Sequence, residues 1–507
     1  MKKETFLLIG FIVLKFLLQF GLMDPAYDLH RDEYLYLDQG QHLAWGFLSV
    51  PPLTSWVSAL IHALGNGVFW VRFFPALFGA ATIFLVWKAI KTLGGNLFAL
   101  TLGATGVLLS SLLRLNGLYQ PNSFDVLCWT GCYFVMIQYF RTGHAKWLFT
   151  AAVCFALGVL NKYNIVFLLC GLVPGMLLTP QRKVFLQPKV YAAGLLSVIL
   201  ILPNLLWQYH NHFPVIRHMA ELTKNQLVHV DRLGFLKSQL LFFMGAVPVI
   251  IAALYALLVY KPFKPYRCFF WSMVFTLATF TYFKAKDYYA IGIYPIYIAF
   301  GAVYLGNLWQ GRRKIYLRAA VMVIPVLLFI PIYNIAFPNK SPEYIVQHQQ
   351  SYKAWGMLRW EDGKDHQLPQ DFSDMLGWKE LAEHVDRTYA TLPNKNETLI
   401  LCDNYGQAGA INYYTKQNVQ AVSFNADYIN WIDGTKHYTN LIRVKENNSV
   451  ATELAETAPY FENSWIAGSI TDTHSREYGT TIFAFTGANI DINQRIQAEI
   501  DENKNGH

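Results

Sequence analysis

The chain has 507 residues, of which 54% are hydrophobic and only 15% are charged, and its formal net charge is +8. Soluble domains usually carry about 25% charged residues, so this composition excludes an ordinary cytosolic enzyme, a disordered chain and a small disulfide-stapled secreted protein. Six cysteines in a chain of this length form no disulfide framework.

The charge is divided near residue 338. Residues 1–337 contain 27 basic and 10 acidic residues, a net charge of +17, whereas residues 338–507 contain 14 basic and 23 acidic residues, a net charge of −9. The basic residues of the first part form short clusters between apolar runs, which fits membrane topology better than nucleic-acid binding. The sequence therefore predicts a transmembrane domain over 1–337 and an extracytoplasmic soluble domain over 338–507.

The first part contains eleven apolar stretches that we interpret as spanning helices, each of which needs about 20 mostly apolar residues. The first stretch lacks a small-residue cleavage site and is followed by further spans, so it is a signal anchor rather than a signal peptide. The predicted spans are 5–22, 67–87, 96–113, 123–140, 147–161, 163–179, 190–207, 238–260, 268–283, 288–307 and 315–337.

Basic clusters fall in alternate loops between these spans, and the positive-inside rule assigns such loops to the cytoplasm. The prediction is a multi-pass protein of the plasma (inner) membrane with a cytoplasmic N-terminus. The first outer loop, 23–66, and the C-terminal domain then lie outside the cytoplasm. The clusters are Lys2/Lys3, Lys88/Lys91, Arg141/Lys146, Arg182/Lys183/Lys189, Lys261/Lys264/Arg267 and Arg312/Arg313/Lys314.

The first outer loop holds half of the ten acidic residues of the membrane domain. Apolar residues recur at helical spacing after Asp28, which predicts an amphipathic helix at the outer interface that ends near Gly46 and the Pro-Pro turn at 51–52. The pair Asp32 and Glu33 suits proton abstraction from a hydroxyl or amine, because partial desolvation raises the pKa of a carboxyl group. The pair also suits a divalent cation, and a solvated loop acid is the structural alternative.

Five basic residues do not fit the alternating pattern and lie at the outer ends of predicted spans. Charge at such positions is costly and often marks a functional site, the alternatives being snorkelling side chains or ion pairs. These residues are Arg72, Arg114, Lys162, Lys284 and Lys286.

The first outer loop reads His-Arg-Asp-Glu-Tyr over 30–34 and continues to a Pro-Pro-Leu turn at 51–53. This stretch resembles the family 39-like glycosyltransferases of the GT-C superfamily, bacterial relatives of the protein O-mannosyltransferases and of the lipid A aminoarabinose transferase. Many relatives carry an acid where Asn122 stands, so a second acidic site would be reduced here to Asp125. Other stretches similar to the family are Gly40–Gly46, Val71–Leu77, Gly158–Tyr163, Lys284–Pro295, Asp374–Trp378 and Asn404–Ala410.

The resemblance implies a polytopic α-helical membrane protein of GT-C type, with about eleven transmembrane helices and a C-terminal soluble α/β domain. It also implies an integral membrane glycosyltransferase. Such an enzyme moves a sugar from a polyprenyl-phosphate donor to an extracytoplasmic acceptor, which could be a lipid, a glycan or a protein.

The resemblance further implies roles for individual residues. Asp32 would take the proton from the acceptor hydroxyl, and Glu33 would orient the acceptor or Asp32. Fixed cations would neutralise the leaving phosphate, in which case no metal is needed, although a divalent cation is possible. The carrier-phosphate residues would be Arg72, Lys162, Lys284 and Lys286. The substrate pocket would include His30, Arg31, His42, Asp125, Tyr288 and Tyr289; for the two tyrosines, ordinary enrichment of aromatic residues at the interface is the alternative.

The C-terminal segment shows alternating helix and strand patterns, which predict a small α/β domain. The turn Asp403–Gln407 leads from a strand into a helix, where an anion or sugar site could form, with folding support as the alternative. The predicted helices are Trp378–Tyr389 and Gln407–Lys416, and the predicted strands are Thr398–Cys402, Gln420–Phe424, Thr439–Lys445, Ser464–Ile470 and Thr480–Phe485.

A non-enzymatic flippase or transporter for a lipid-linked sugar is the alternative function. A transporter usually places charge near the membrane midplane and often contains repeated or broken helices. Here the unexpected charges cluster at one predicted membrane face, which favours chemistry at the surface. Transfer of a phosphoethanolamine-type group would need a metal cluster and a nucleophilic threonine in a soluble domain, which the C-terminal sequence does not offer.

Overall fold

The computed structural model describes residues 2–225, 227–311, 314–447 and 450–505, so the predicted basic positions Arg312 and Arg313 lie outside the described residues. The chain divides into two compact units. Unit 1 comprises Met1–Leu22, Ala44–Thr54 and Asn66–Phe337, and unit 2 comprises Met23–Leu43, Ser55–Gly65 and Pro338–His507.

The helices and strands have the following bounds, in chain order. The helices are α1 (Lys2–Gly21), α2 (Arg31–Gln39), α3 (Leu53–Ala63), α4 (Val68–Thr92), α5 (Leu97–Leu108), α6 (Leu112–Leu115), α7 (Asn122–Thr142), α8 (Lys146–Asn161), α9 (Val166–Leu177), α10 (Pro188–His210), α11 (Pro214–Asn225), α12 (Arg232–Phe242), α13 (Val247–Val259), α14 (Cys268–Tyr282), α15 (Tyr294–Leu308), α16 (Ile315–Ile335), α17 (Pro342–Gln347), α18 (Gln349–Ala354), α19 (Gln370–Ser373), α20 (Trp378–Thr391), α21 (Tyr405–Tyr414), α22 (Val450–Thr457) and α23 (Ile492–Asn505). The strands are β1 (Thr398–Cys402), β2 (Ala421–Ser423), β3 (Asn440–Lys445), β4 (Phe461–Ser469) and β5 (Thr481–Ala488).

Unit 1 is helical, and much of it is apolar enough for a membrane. Within the described residues, five helical segments are long and apolar enough to cross, and two bent helix pairs would bring the number to seven. Each of the eleven predicted spans contains a helix, but α5 and α9 have only 12 residues each. A straight span needs about 20 residues, so the multi-pass helical architecture is confirmed while the number of eleven stays a prediction.

Helices α9 and α14 approach closely because α9 carries two glycines four residues apart. A Cβ added at Gly171 would overlap Thr276 Oγ1 and lie 2.5 Å from the Ser272 carbonyl oxygen, and one at Gly175 would lie 2.5 Å from the Cys268 carbonyl oxygen. Small residues at this spacing let helices in membranes pack backbone against backbone. The two glycines therefore fix this helix pair.

Unit 2 contains a five-stranded sheet in the order β2-β1-β3-β5-β4. Strands β2, β1 and β3 are parallel, whereas β5 runs antiparallel to both β3 and β4. Helices α20 and α21 pack against each other and against the sheet. The predicted helices and strands of this segment are confirmed to within a few residues at each end.

The helix predicted after Asp28 is wrong in its second half. Helix α2 ends at Gln39 with Gly40 as its C-cap, and the last predicted residues up to Phe47 belong partly to unit 1. A Cβ at position 40 would lie 2.8 Å from backbone atoms of Ser58 and Ala59. The chain therefore needs a glycine there for a close backbone approach, and the apolar spacing beyond it does not continue the helix.

Replacing Gly171 by alanine tests the close approach of α9 and α14. We expect Gly171→Ala to lower the free energy of unfolding by about 1–3 kcal/mol, because overpacking forces neighbouring atoms apart. The thermal unfolding midpoint in detergent, followed by tryptophan fluorescence, measures the change. Gly194→Ala in α10 is the matched control, since a Cβ there meets nothing within 4 Å. Equal midpoints for the two variants would contradict the proposed packing.

Candidate active site

The predicted acidic pair lies at the first turn of α2, in unit 2. His30 is the N-cap, and the Glu33 carboxylate accepts the His30 backbone N–H at 2.6 Å. This arrangement is a capping box, which satisfies amide groups that the helix leaves unpaired. Glu33 is only 1% exposed, so its observed contact serves the start of the helix, and its role toward a substrate stays a prediction.

Asp32 is placed differently from its neighbour. Its side chain is 31% exposed, and its Oδ1 accepts a hydrogen bond from the Tyr405 hydroxyl at 2.6 Å. Its other carboxylate oxygen lies 3.9 Å from Nδ1 of His30. The Tyr405 hydroxyl therefore holds Asp32 in a defined orientation, and the Asp32 side chain stays partly exposed.

His30 lies between two carboxylates. Its Nε2 is 3.6 Å from Oδ2 of Asp374, and Arg476 Nη1 donates to both oxygens of Asp374 at 3.2 Å. Burial alone would lower the pKa of His30, but the nearby carboxylates of Asp374 and Asp32 raise it to about 9. Burial would raise the pKa of Asp374, and the donors His30 and Arg476 outweigh that effect and lower it.

The imidazole of His30 also meets a backbone amide. The Asp32 N–H points at Nδ1 from 3.2 Å, which is at the long end of the range for such bonds. This contact needs an unprotonated Nδ1, whereas the two carboxylates favour the imidazolium. Asp374 is buried beside Nε2, and the pKa of His30 is about 9, so we assign His30 as the cation at neutral pH.

The two remaining residues of this segment that were predicted for the substrate pocket lie in different places. The Arg31 guanidinium lies over the Tyr405 ring, with Cζ 4.7 Å from the ring centroid, so Arg31 accompanies Asp32. The His42 ring stacks on Trp431 at 4.2 Å, beyond the C-terminal end of α2. A helix of nine residues is about 13 Å long, so His42 contacts a different part of unit 2.

In unit 1 the structure brings Lys162 and the predicted tyrosine pair together. Lys162 is the C-cap of α8, and its Nζ donates to Oδ1 of Asn122 at 2.6 Å. The same Nζ lies 5.0 Å from the ring centroid of Tyr288 and 4.5 Å from that of Tyr289. The faces of aromatic rings attract cations, so neutral groups hold this ammonium in place.

Asp125 lies beside this cluster and is 4% exposed. It accepts hydrogen bonds from Trp129 Nε1 at 3.2 Å and from Asn164 Nδ2 at 3.0 Å. Asn164 Nδ2 also donates to the Tyr289 carbonyl at 2.9 Å. Asp125 is therefore connected to the tyrosine segment through Asn164.

The other predicted phosphate-binding residues also lie in unit 1. Arg72 is in the first turns of α4, and Lys286 directly precedes the 3-10 segment Asp287–Ile293 that carries the tyrosine pair. Lys284 has a left-handed backbone with φ of 52°, and its Nζ is 3.5 Å from the Val228 carbonyl.

Across 2–225, 227–311, 314–447 and 450–505, no three His, Cys, Asp or Glu side chains are grouped as ligands for an ion.

Known proteins share both sequence and fold with this chain. Residues 49–207 match the family model for dolichyl-phosphate-mannose-protein mannosyltransferases. The lipid A galacturonosyltransferase RgtD of Rhizobium johnstonii is 27% identical over 237 residues, which are 44% of this chain and 47% of that protein. The aligned part of the chain thus spans about half the length of this curated relative.

Solved structures give a match over nearly the whole chain. ArnT from Cupriavidus metallidurans bound to undecaprenyl phosphate matches with a TM-score of 0.64 at 12% identity, over 96% of this chain and 99% of that one. The archaeal oligosaccharyltransferase AglB from Archaeoglobus fulgidus matches with a TM-score of 0.51 at 10% identity, over 87% of this chain and 70% of that one. The chain shares the fold of ArnT over nearly its whole length. The resemblance that the sequence motifs predicted is thereby confirmed.

Several contacts in the structure could not be inferred from the sequence motifs. Tyr405 is 373 residues from Asp32 along the chain, and Asp374 is similarly far from His30 in sequence. Both lie in stretches similar to the family, and Tyr405 lies in the strand-to-helix turn predicted as an anion or sugar site. The similarity marked these stretches, but no local pattern indicated which side chain they would contact.

The ion pair at His30 makes the stability of the protein depend on pH. A folded-state pKa of about 9 against an ordinary 6.5 gives stabilisation on the order of 3 kcal/mol. This stabilisation is complete below pH 6.5 and is lost as the pH rises through about 9. We expect the unfolding midpoint to fall more steeply between pH 7 and pH 10 in the unsubstituted protein than in His30→Asn, which retains an N-cap residue. Parallel curves would contradict the assignment of a charged His30.

Proposed function

We propose that the protein is a membrane glycosyltransferase that transfers a sugar from a polyprenyl-phosphate donor to an acceptor outside the cytoplasm. The observation that carries the proposal is Asp32, a partly exposed carboxylate held by the Tyr405 hydroxyl. The GT-C fold and the undecaprenyl phosphate named for the ArnT structure support the class of donor. The nature of the sugar and of the acceptor stays open.

In the proposed reaction the acceptor hydroxyl attacks the anomeric carbon of the donor sugar and Asp32 takes its proton. The bond between the anomeric carbon and the phosphate oxygen breaks, and the polyprenyl phosphate leaves with the electron pair. Proton transfer to a positioned base typically contributes 10²- to 10⁴-fold to the rate. Glu33 holds the first turn of α2, so Asp32 is the residue of the pair to which we assign the chemistry.

Charge builds up on the leaving phosphate, and fixed cations stabilise it. We assign this role first to Lys162, because its direct partners are the neutral Asn122 amide and two aromatic rings. Asp125 acts on Lys162 electrostatically, but among the described residues no carboxylate is bonded to its ammonium, so the charge stays available to an incoming anion. Arg72, Lys284 and Lys286 are proposed to share the role, since arginine binds phosphate through two parallel bonds and lysine acts as a point charge.

Asp32→Asn tests the base directly. We expect kcat to fall by about 10²- to 10⁴-fold, because an amide cannot accept the proton. Purified protein is supplied with a panel of radiolabelled polyprenyl-phosphate sugars, and loss of donor is scored both to membrane acceptors and to water. Asp28→Asn is the control, since Asp28 lies in the same segment and pairs with Lys379.

Each outcome of this experiment has a different interpretation. Turnover of one donor that is lost only in Asp32→Asn supports the proposal and names the sugar. Equal turnover in both proteins would remove Asp32 as the base. Donor binding with no turnover in the unsubstituted protein would favour the alternative of a transporter for a lipid-linked sugar.

The phosphate role of Lys162 has its own test. We expect Lys162→Met to raise the donor KM by about 10- to 100-fold, the usual range for losing a hydrogen bond to a charged group. Asn122→Asp should have a similar effect, because it places a carboxylate within hydrogen-bond distance of the ammonium. Lys146→Met, at the other end of the same helix α8, is the control. An unchanged KM in both Lys162→Met and Asn122→Asp would rule out this assignment.

A further inference from the structure

The sheet of unit 2 has a point at which its strand order reverses. The chain runs from β1 outward to β2, and then returns past β1 to form β3 on its other side. In open α/β sheets, ligands bind outside the carboxyl ends of the strands at such a reversal. Here the residues at this edge are Asp403–Tyr405 after β1 and Glu446 after β3.

Side chains at this edge form a network of hydrogen bonds. Asn404 Nδ2 donates to Glu446 at 2.8 Å and to Glu477 at 3.2 Å, and Gln407 Nε2 donates to Glu477 at 2.7 Å. Asn404 and Gln407 also form the capping box of α21. The helix cap and the hydrogen-bond network share Asn404 and Gln407. The backbone of Tyr405, the first residue of α21, is therefore held in place on both sides.

A segment of the same chain occupies the place that a ligand takes in other α/β sheets. The Arg31 guanidinium covers the Tyr405 ring, and the Tyr405 hydroxyl reaches Asp32. A Cβ at Gly406 would lie 3.2 Å from Cβ of Arg31 and 3.1 Å from Oδ1 of Asn404. A larger residue at 406 would press on the segment, so the edge is shaped to receive residues 31–32.

The hydrogen bond from Tyr405 makes the two oxygens of Asp32 unequal. Oδ1 accepts the hydroxyl, whereas Oδ2 faces the His30 imidazole at 3.9 Å, beyond hydrogen-bond distance. Holding a base within reach of its reactant lowers the barrier by reducing the freedom lost on reaching the transition state.

We propose that Tyr405 is a positioning residue that orients Asp32 for proton abstraction, and that the C-terminal sheet serves the reaction through this contact. The proposal rests on the proposed function, because it concerns the base of that reaction. It gives the C-terminal part of the chain a task beyond support of folding.

Tyr405→Phe tests the proposal, with Tyr428→Phe as the matched control. Tyr428 donates to Oδ2 of Asp38 at 2.7 Å, so both variants remove a tyrosine hydroxyl from an aspartate on α2. We expect Tyr405→Phe to reduce kcat by about 10- to 100-fold with an unchanged donor KM. Tyr428→Phe should keep kcat, although it also loses a hydrogen bond that helps hold α2.

The pH profile separates positioning from a general loss of stability. A hydroxyl donated to a carboxylate favours the ionised form, so the acidic limb of the kcat/KM profile should move to higher pH in Tyr405→Phe only. The charged or titratable groups facing Asp32 are His30 and Arg31 on its own segment, and Tyr405 and Asp374 from the C-terminal part. Neither variant changes the other three.

Asp32→Asn is assayed in parallel, so that the two proposals fail in different ways. If Asp32→Asn is inactive and Tyr405→Phe matches Tyr428→Phe in kcat and pH profile, the positioning role is overturned while the proposed function stands. If Asp32→Asn is active, or the unsubstituted protein transfers no sugar, both proposals fall. Should Tyr405→Phe not fold, Tyr405→His takes its place. Histidine retains a ring N–H donor. If the acidic limb of Tyr405→His is displaced while its kcat equals that of the unsubstituted protein, the contact does not serve positioning and the proposal is overturned.

Discussion

Burying a charge in an apolar protein is costly unless donors or opposite charges compensate, and this constraint separates the acids of the chain. Asp125 and Asp38 are 4% and 5% exposed, and each accepts hydrogen bonds from two neutral side chains. Burial raises the pKa of Asp38 to about 7, even though Asn412 and Tyr428 donate to it. Asp32 is 31% exposed, and of these three acids it is the one that a reactant can approach.

The same constraint distinguishes the cations. Arg476 faces both carboxylate oxygens of Asp374 at 3.2 Å, so its charge is already used within the protein. Lys162 is held by an amide oxygen and by the faces of two tyrosine rings, which stabilise an ammonium without cancelling its charge at close range. A phosphate group would gain more from the second kind of cation than from the first. The neutral amide of Asn122 is therefore important, because an aspartate at that position would form an ion pair with Lys162.

The sequence predicted those features that depend on local pattern. The predicted strand over 398–402 agrees with the structure because a short apolar run between polar turns indicates a buried strand. The predicted helix that begins at Trp378 agrees because its apolar residues recur at helical spacing. The sequence predicts full spans over 96–113 and 163–179. In the structure α5 ends at Leu108, and α9 begins only at Val166. An apolar run indicates burial, and it does not indicate where the backbone turns. Contacts between remote segments, such as the one joining Tyr405 to Asp32, leave no periodic signal at all.

The grouping of the chain into units changes how the C-terminal segment should be regarded. Residues 23–43 group with residues 55–65 and 338–507 rather than with the helices of unit 1. Asp28 pairs with Lys379, the Arg31 amide donates to the Asp374 carbonyl at 3.1 Å, and Asn412 donates to Asp38 at 2.8 Å. Removing residues 338–507 would strip these partners from both ends of α2 and leave a buried carboxylate without its donors. The C-terminal segment is thus the scaffold on which the proposed base is folded, and a truncated chain would lose activity for that reason even if the C-terminal segment binds no substrate itself.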